Sequence, residues 1–211
     1  MVKKKNIFWF SIFMVIILAV LVFVIYNLKS VSDDKENNYI VNGTEYQIDK
    51  EKILDIDIYN IHIFSDGIEY VYPFRNHPAD LEQILMGENL TDKLNRPNGI
   101  KTLWVTRDVN LGPTTRNMDV VAAAAFEQIL GTNQAGLYKL NIKNTYTTFY
   151  REGLATINCD DVDNNEAVIY IKLGLDTKVY SENDCIIIQG TNSTTLIQAS
   201  EKFAYSLIGV F

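Results

Sequence analysis

The sequence predicts an α+β protein with a single N-terminal transmembrane helix followed by one extracytoplasmic domain. In that domain an N-terminal β-meander is expected to precede a mixed sheet covered by about three helices. A continuous apolar run occupies residues 7–26, and short alternating segments after it are typical of strands. Two later segments, 118–130 and 194–209, have the composition or spacing of helices. The hydrophobic content of 47% favours a folded domain over a disordered tail.

The first element is the apolar run from Ile7 to Tyr26, in which Ser11 is the only clearly polar residue. These 20 residues would span about 30 Å as a helix, which is the thickness of a bilayer's hydrocarbon core. Trp9 lies near one predicted interface and Tyr26 near the other, as in aromatic belts. The alternative is a cleaved secretory signal, but the run is long and its exit lacks a small-residue cleavage pattern. We therefore predict an uncleaved membrane anchor.

Charge sets the predicted orientation and the class of partner. Lys3, Lys4 and Lys5 precede the run, so the positive-inside rule places the N-terminus in the cytoplasm and the domain outside a single-pass cell membrane. All 26 acidic residues but only 15 of the 19 basic residues lie beyond residue 29. Such an acidic surface disfavours nucleic acid. The expected partners are the lipid bilayer and other envelope proteins, and no cofactor is expected.

The chain divides into a cytoplasmic tip and anchor (1–29), a polar linker (30–38) and the domain (39–211), with a candidate subdivision near residue 99. Asn42-Gly43 predicts a type I′ turn in a first hairpin. Residues 53–64 alternate, but the apolar positions change from even to odd, which predicts a bulge near Tyr59-Asn60. A turn at 65–67 then predicts a meander.

Three helices are expected in the rest of the domain. The first opens at Asn76-His77-Pro78 and ends at Gly87. The second covers 118–130, with Asn117 as N-cap and Gly131 as its stop. The third covers 194–209, and one face carries apolar or small residues at helical spacing: Leu196, Ser200, Phe203, Ala204, Leu207 and Ile208. Strands are expected at 100–109, within 137–150, and in AVIYIKLG, 178–180 and CIIIQG.

A candidate anion-binding site lies where a strand, a glycine-containing loop and a helix N-terminus follow one another. Backbone amides and the helix dipole can bind anions at such a junction. The residues that would line it are Arg107, Thr114, Thr115 and Arg116. No Walker or dinucleotide glycine pattern is present, and the alternative is a solvated connection.

The two cysteines, Cys159 and Cys185, are predicted to form a disulfide outside the membrane. The alternatives are two separately buried thiols, or an enzyme in which Cys159 is a nucleophile and His77 its base. Between the cysteines, Asp161, Asp163 and Asn165 match the first three ligand positions of an EF-hand-like calcium loop. The later positions do not match, so a solvated acidic turn is the alternative.

Several segments carry a family resemblance: the first hairpin, YPFRNHPADLEQI, the TRD strand end, and NEAVIYIKL through NDCIIIQG to LIQASEKFAYSLIGVF. Together with the anchor, they resemble small membrane-anchored conserved hypothetical proteins of archaea (DPANN-like lineages). The likeness covers about residues 40–211 and is most specific from Asn165 onward. Family members often carry further cysteines near the position of Cys159. The resemblance implies an anchored outer domain and transfers no enzyme activity to this chain.

The expected function is that of a membrane-anchored cell-envelope protein whose outer domain is a structural or interaction module. The alternative is an extracytoplasmic ligand-binding domain or hydrolase. It would use either the loop at 107–116 or the acidic turn at 160–166.

Overall fold

The computed structural model describes Ile17 and residues 38–95, 99–149, 152–161, 165–183 and 185–211. Residues 39–211 form one compact unit, and residues 1–38 form another, of which only Ile17 and Asn38 are described. The predicted anchor residues Ile7, Trp9 and Tyr26, and the three lysines before them, lie outside the described residues. Within the described part of the chain, no helix has the length and apolar character needed to cross a membrane.

The predicted mixture of helices and sheets is confirmed. The described residues form a four-stranded antiparallel sheet, a six-stranded mixed sheet and three α-helices. The strands are β1 (Asn38–Val41), β2 (Thr44–Ile53), β3 (Ile56–Ser65), β4 (Ile68–Phe74), β5 (Leu85–Met86), β6 (Thr102–Arg107), β7 (Ile142–Tyr146), β8 (Glu166–Leu173), β9 (Lys178–Glu182) and β10 (Cys185–Gly190). The helices are α1 (Leu111–Thr115), α2 (Met118–Leu130) and α3 (Ser193–Leu207), with short 3-10 helices at Pro78–Leu81 and Thr91–Lys93.

The predicted meander is present, with the strand order β1-β2-β3-β4. Asn42 and Gly43 both have positive φ angles, 50° and 80°, as a type I′ turn requires. Asp66 and Gly67 have the same signs in the β3–β4 turn. The middle turn was not predicted as a turn: Leu54 and Asp55 have φ angles of 48° and 65° although neither residue is glycine or asparagine.

The predicted bulge near Tyr59-Asn60 is wrong. The β2–β3 register is continuous from Ile48 opposite Ile61 to Ile53 opposite Ile56. Ile61 lies on the inner face of the meander, which is buried, whereas Ile56 is on the outer face and partly exposed. The apolar positions change parity because the end of the hairpin extends past the buried core. There the inner face carries ions instead, with Lys50 Nζ 3.4 Å from Asp57 Oδ2.

The six-stranded sheet has the order β5-β9-β10-β8-β6-β7. Strands β7, β6, β8 and β10 are mutually parallel, and β9 is antiparallel to β10. The chain passes from β6 to the neighbouring β7 through α1 and α2, as in a βαβ unit. Because successive residues of a strand point to opposite faces, this sheet has a face against the helices and an open face. The open face carries Tyr170, Lys172 and Ile187.

Helices α2 and α3 form a middle layer between the two sheets. Phe126 of α2 packs edge-on against Phe203 of α3, with ring centroids 5.8 Å apart. On the meander side, the Phe74 and Tyr205 ring centroids are 4.1 Å apart. The predicted buried face of α3 is confirmed, but its polar face is buried as well, including Glu201 and Lys202. The sequence pattern did not predict this, because residues outside the helix cover the side that helical spacing assigns to solvent. Glu201 binds Arg75 and Asn76, and Lys202 contacts Phe211 and the Glu82 carbonyl.

The helix predicted between Asn76 and Gly87 is mostly wrong. Only the 3-10 helix Pro78–Leu81 forms, and Leu85–Met86 pairs with β9 as strand β5. Leu81 and Ile84 are both buried, and the pairing of Leu85–Met86 with β9 requires an extended backbone where the prediction continued the helix. The position before Pro78 is a cap as expected, since His77 accepts a hydrogen bond from the Ala79 N–H.

The ends of α2 and α3 differ in how they are capped. Asn117 occupies the N-cap position of α2 as predicted, but it has a left-handed conformation and its side chain gives no capping bond. Gly131 ends α2 as predicted. Helix α3 begins with a capping box, in which Asn192 Oδ1 accepts from the N–H groups of Thr194 and Thr195.

Candidate functional site

The predicted disulfide is confirmed. Cys159 and Cys185 have an Sγ–Sγ distance of 2.06 Å and a Cα–Cα distance of 5.3 Å. Cys185 is the first residue of β10, and Cys159 belongs to the segment that joins β7 to β8. The alternatives of two free thiols and of a Cys159 nucleophile are therefore wrong, because both sulfur atoms are bonded.

The disulfide joins the segment 157–159 to the open face of the mixed sheet. Around Cys185 a small second core forms with Val168 and Ile187, and Trp104 and Ile157 pack against it. The segment is also held by hydrogen bonds: Thr106 Oγ1 donates to the Ile157 carbonyl at 2.8 Å. The Ile157 N–H donates to the Tyr146 carbonyl at 3.1 Å. The described segment 157–159 thus has a fixed position on the sheet.

A cleft of about 250 Å³ lies between this segment and the sheet, and we call it the disulfide cleft. Its floor includes Ile187 and its walls are largely polar. The lining residues are Thr106, Thr147, Asn158, Cys159, Asp160, Tyr170, Lys172, Glu182, Asn183 and Ile187. Polar groups that converge on a concave surface are one feature of small-ligand sites.

Lys172 supplies the positive charge of the cleft. Its Nζ lies 5.5 Å from the ring centroid of Tyr170 and 5.7 Å from that of Tyr180. The two rings are fixed, since Tyr170 Oη donates to Asp108 Oδ1 at 2.9 Å and Tyr180 Oη lies 3.4 Å from Gln189 Oε1. Burial, and then the bond to Asp108, raise the pKa of Tyr170 well above its usual range, so its hydroxyl remains a donor. No carboxylate among the described residues forms an ion pair with Lys172.

Acidic side chains lie on the opposite wall. Asp160 Oδ1 accepts a hydrogen bond from Asn183 Nδ2 at 3.1 Å. The Glu182 carboxylate has no hydrogen bond or ion pair with a described residue. Lys93 is nearby, but its Nζ donates to the Asn183 carbonyl at 2.6 Å.

The strand register separates the two charges of the cleft. Glu182 pairs with Cys185, and Cys185 pairs with Val168, which precedes Lys172 by four positions on β8. Two strand spacings across the sheet and four residues along it place the Glu182 and Lys172 Cα atoms about 16 Å apart. The cleft therefore has a cation at one end and a carboxylate at the other.

The residues of the predicted anion site are only partly brought together. Arg107 Nη1 lies 2.9 Å from Asp119 Oδ2, and Thr115 Oγ1 donates to Asp119 Oδ1 at 2.9 Å. Asp119, which is buried, already supplies the negative charge at this place. Thr114 donates to the Asn110 carbonyl, and Arg116 is exposed with a φ angle of 55°. The anion site stays a prediction, and the geometry shows a buried ion pair in its place.

The predicted calcium loop is described only in part. Asp161 Oδ2 accepts from the Asn158 N–H at 2.7 Å, and the Asn165 carbonyl accepts from the Lys101 N–H at 2.8 Å. Asp163 lies outside the described residues. In the ranges that are described, no group of three or more His, Cys, Asp or Glu side chains is arranged to hold a metal ion. Calcium binding by this turn also stays a prediction.

Sequence reasoning did not find the disulfide cleft, although a signal was present. Tyr170 and Lys172 alternate with Ile169 and Ile171 on β8, and period-two alternation on a central strand indicates two different environments. The apolar character of AVIYIKLG hid this alternation, and the segment was predicted only as a strand. Comparison with protein-family models, with curated proteins and with solved structures finds no match.

Proposed function

We propose that the chain is a membrane-anchored cell-envelope protein whose outer domain is a structural or interaction module. The observation that carries this proposal is the Cys159–Cys185 disulfide, since such bonds persist in oxidising compartments outside the cytoplasm. The apolar run at 7–26 and the preceding lysines support the same orientation. The resemblance to membrane-anchored archaeal proteins supports it as well, and kinship with them is part of the proposal.

Protease treatment of intact cells tests the compartment. The full chain is expressed with an N-terminal epitope, and an external protease is added before and after permeabilisation. We expect residues beyond the linker to be digested in intact cells while the epitope is retained. A protected domain with a digested epitope would overturn the proposal. Thiol labelling without reductant is a second readout, and it should find neither cysteine reactive.

A second candidate function is favoured by the disulfide cleft: the outer domain binds a small ligand. Lys172 offers three N–H donors and Glu182 offers acceptors, and no described residue pairs with either charge. An ion pair with a ligand would therefore not have to displace an existing one. The separation of the charges fits a compound with a carboxylate and an ammonium group about 10 Å apart, which is the length of an extended tripeptide.

Triglycine is a suitable probe for this second candidate. Saturation-transfer NMR on the full chain in detergent micelles should detect its binding, and acetate or ethylammonium alone should bind more weakly. Lys172→Met should weaken triglycine binding by about tenfold, because a hydrogen bond to a charged group contributes about 1.5 kcal/mol or more. Lys143→Met is the matched control, since Lys143 Nζ also lies over an aromatic ring, that of Trp104, but outside the cleft. Equal binding by both variants would exclude the cleft.

A further inference from the structure

The end of the β2–β3 hairpin presents aliphatic side chains to solvent. Leu54 is 93% exposed, Ile53 49% and Ile56 43%. Ile58, two positions after Ile56 on the same face of β3, is partly exposed. We call these four residues the aliphatic tip. They are contiguous, because Ile53 pairs with Ile56 across the hairpin and Leu54 lies in the turn that joins them.

The polar residues of the hairpin end are already paired with one another. Lys50 Nζ lies 3.4 Å from Asp57 Oδ2, and Lys52 Nζ lies 3.4 Å from Asp55 Oδ1. Glu51 accepts a hydrogen bond from Asn60 Nδ2 at 3.1 Å. The hairpin end therefore has little unpaired charge that would resist transfer toward an apolar phase.

The backbone conformation of the turn disfavours the leucine that is found there. Leu54 has a φ angle of 48°, a left-handed conformation that favours glycine or asparagine. The other two hairpin turns carry Asn42-Gly43 and Asp66-Gly67 at the equivalent positions. A strained, almost fully exposed leucine is an observation from which a functional role can be inferred.

The direction of the strands places the aliphatic tip on the side from which the chain enters the domain. Strand β1 is antiparallel to β2 and thus runs with β3, away from the β2–β3 turn. The start of β1 lies about six residues short of the hairpin end, a distance of about 20 Å. The linker of nine residues, 30–38, can extend about 30 Å. A bilayer that holds the predicted anchor is within reach of the tip.

We infer that the aliphatic tip inserts into the interfacial region of the lipid bilayer that anchors the chain. This inference rests on the proposed membrane anchor. A lipid surface fits better than a protein partner, because four side chains on one hairpin are far fewer than a stable protein interface needs. A tethered contact needs little intrinsic affinity, since the anchor keeps the tip at a high effective concentration near the lipid. Anchor and tip together would hold the outer domain in one orientation on the membrane.

Tryptophan quenching by brominated lipid tests the inference on the full chain. The chain is reconstituted into phosphatidylcholine vesicles with bromine at a shallow acyl position, and into the same vesicles without bromine. Leu54→Trp is compared with Leu175→Trp, a control at a turn residue that is 96% exposed. The fluorescence of each variant is compared with that of the native chain, which contains Trp9 and Trp104. We expect bromine to quench the tryptophan added by Leu54→Trp and to leave the one added by Leu175→Trp unchanged.

The native tryptophans separate the two ways in which the inference could fail. Quenching of Trp9 without quenching of the tryptophan added by Leu54→Trp would leave the anchor in place and overturn the membrane role of the tip. Absence of Trp9 quenching would overturn the anchor and the tip together. Emission from the Leu54→Trp chain that is shifted to the blue but insensitive to bromine would assign the tip to a contact with a second copy of the chain, and would likewise overturn the inference.

Discussion

Glu201 is the residue through which helix α3 binds the segment that follows the meander. Its Oε1 accepts from the Arg75 N–H at 2.7 Å, and its Oε2 accepts from the Asn76 N–H at 3.0 Å and from Asn76 Nδ2 at 2.6 Å. The residue is only 3% exposed. Burial raises the pKa of Glu201 and is only partly offset by these hydrogen bonds, with Arg75 and Asn76 each lowering it. The carboxylate is thus stabilising only as long as its donors remain in place.

Glu201→Ala should destabilise the domain by about 3 kcal/mol or more. The substitution leaves two backbone N–H groups without their acceptor, and each buried unsatisfied group costs about 1–3 kcal/mol. Urea unfolding of the full chain in detergent micelles, followed by near-UV circular dichroism, measures the change. Glu88→Ala is an exposed control and should shift stability by less than about 0.5 kcal/mol. Similar curves for the two variants would contradict the role given to Glu201.

Glu127 makes stability depend on pH. Burial raises its pKa above the usual value of 4.5, although the bond from Asn144 and the charge of Arg107 act in the opposite direction. A raised pKa in the folded state means that the associated stability is full below the unfolded pKa and declines as the pH rises through the folded value. Glu127→Gln should remove this decline, since an amide oxygen can still accept the bond from Asn144.

The measurement is Tm of the full chain between pH 4 and pH 8. Glu127→Gln should have a flatter profile than the native chain and a higher Tm at pH 7. Glu88→Gln, an exposed control, should keep the native profile. A native profile for Glu127→Gln would show that the carboxyl group does not titrate differently in the folded protein.

At the scale of elements, the three hairpin turns of the meander have the same backbone but different sequences. Two of them were readable from the sequence, because Asn-Gly and Asp-Gly are the residue pairs that a type I′ turn favours. The third, Leu54-Asp55, could not be read, because its conformation is imposed by strand pairing on both sides and not by the turn residues. The alternation of residues 53–64 was consequently interpreted as one strand with a bulge.

Replacing Leu54-Asp55 by Asn-Gly should stabilise the domain by about 1 kcal/mol or more. Leu54→Asn and Asp55→Gly together relieve two left-handed residues whose conformation costs about 1 kcal/mol each, and the glycine offsets part of the gain by its greater freedom in the unfolded chain. The reciprocal variant, Asn42→Leu with Gly43→Asp, should lose stability. Urea unfolding measures both, and equal effects of the two variants would contradict the argument.

Elements whose residue pattern alone indicates their burial could be predicted from the sequence. Elements whose burial or pairing depends on distant parts of the chain could not. Helix α3 and strand β10 were found because their apolar residues face the core that the chain itself forms nearby. The burial of Lys202 could not be predicted, because it depends on contacts with Phe211 and with Glu82, which lies 120 positions earlier in the chain. The segment 76–87 has helical signals at its start, yet pairing of Leu85–Met86 with β9 prevails over them.

At the scale of the whole molecule, one disulfide attaches the described segment 157–159 to the open face of the mixed sheet. The disulfide closes a loop with a sequence separation of 26. It could be predicted from cysteine count and compartment alone. The disulfide cleft could not be predicted, because its residues come from β6, β8, β9, β10, the β9–β10 connection and the β7–β8 connection. Only the strand register brings them together.

The double variant Cys159→Ala and Cys185→Ala should lose about 3.5 kcal/mol of stability, the chain-entropy value for a loop of this length. Reduction of the native chain should have a similar effect, and reductant should leave the double variant unchanged. Urea unfolding of the full chain with and without reductant provides the measurement. A loss below about 1 kcal/mol would show that the noncovalent contacts of segment 157–159 are sufficient to hold it on the sheet.

The middle position of α3 between the two sheets determines the order in which the protein can be completed during biosynthesis. The meander is made first, but its inner face packs on a helix near the end of the chain: Tyr205 Oη donates to the Asn76 carbonyl, 129 positions earlier. At about 5–20 residues per second, synthesis of the intervening chain takes about 6–26 s. For that interval the tyrosine and isoleucine side chains on the inner face of the meander are not covered by α3. Factors that shield nascent apolar surfaces should therefore be needed early, and released only when the last helix has been made.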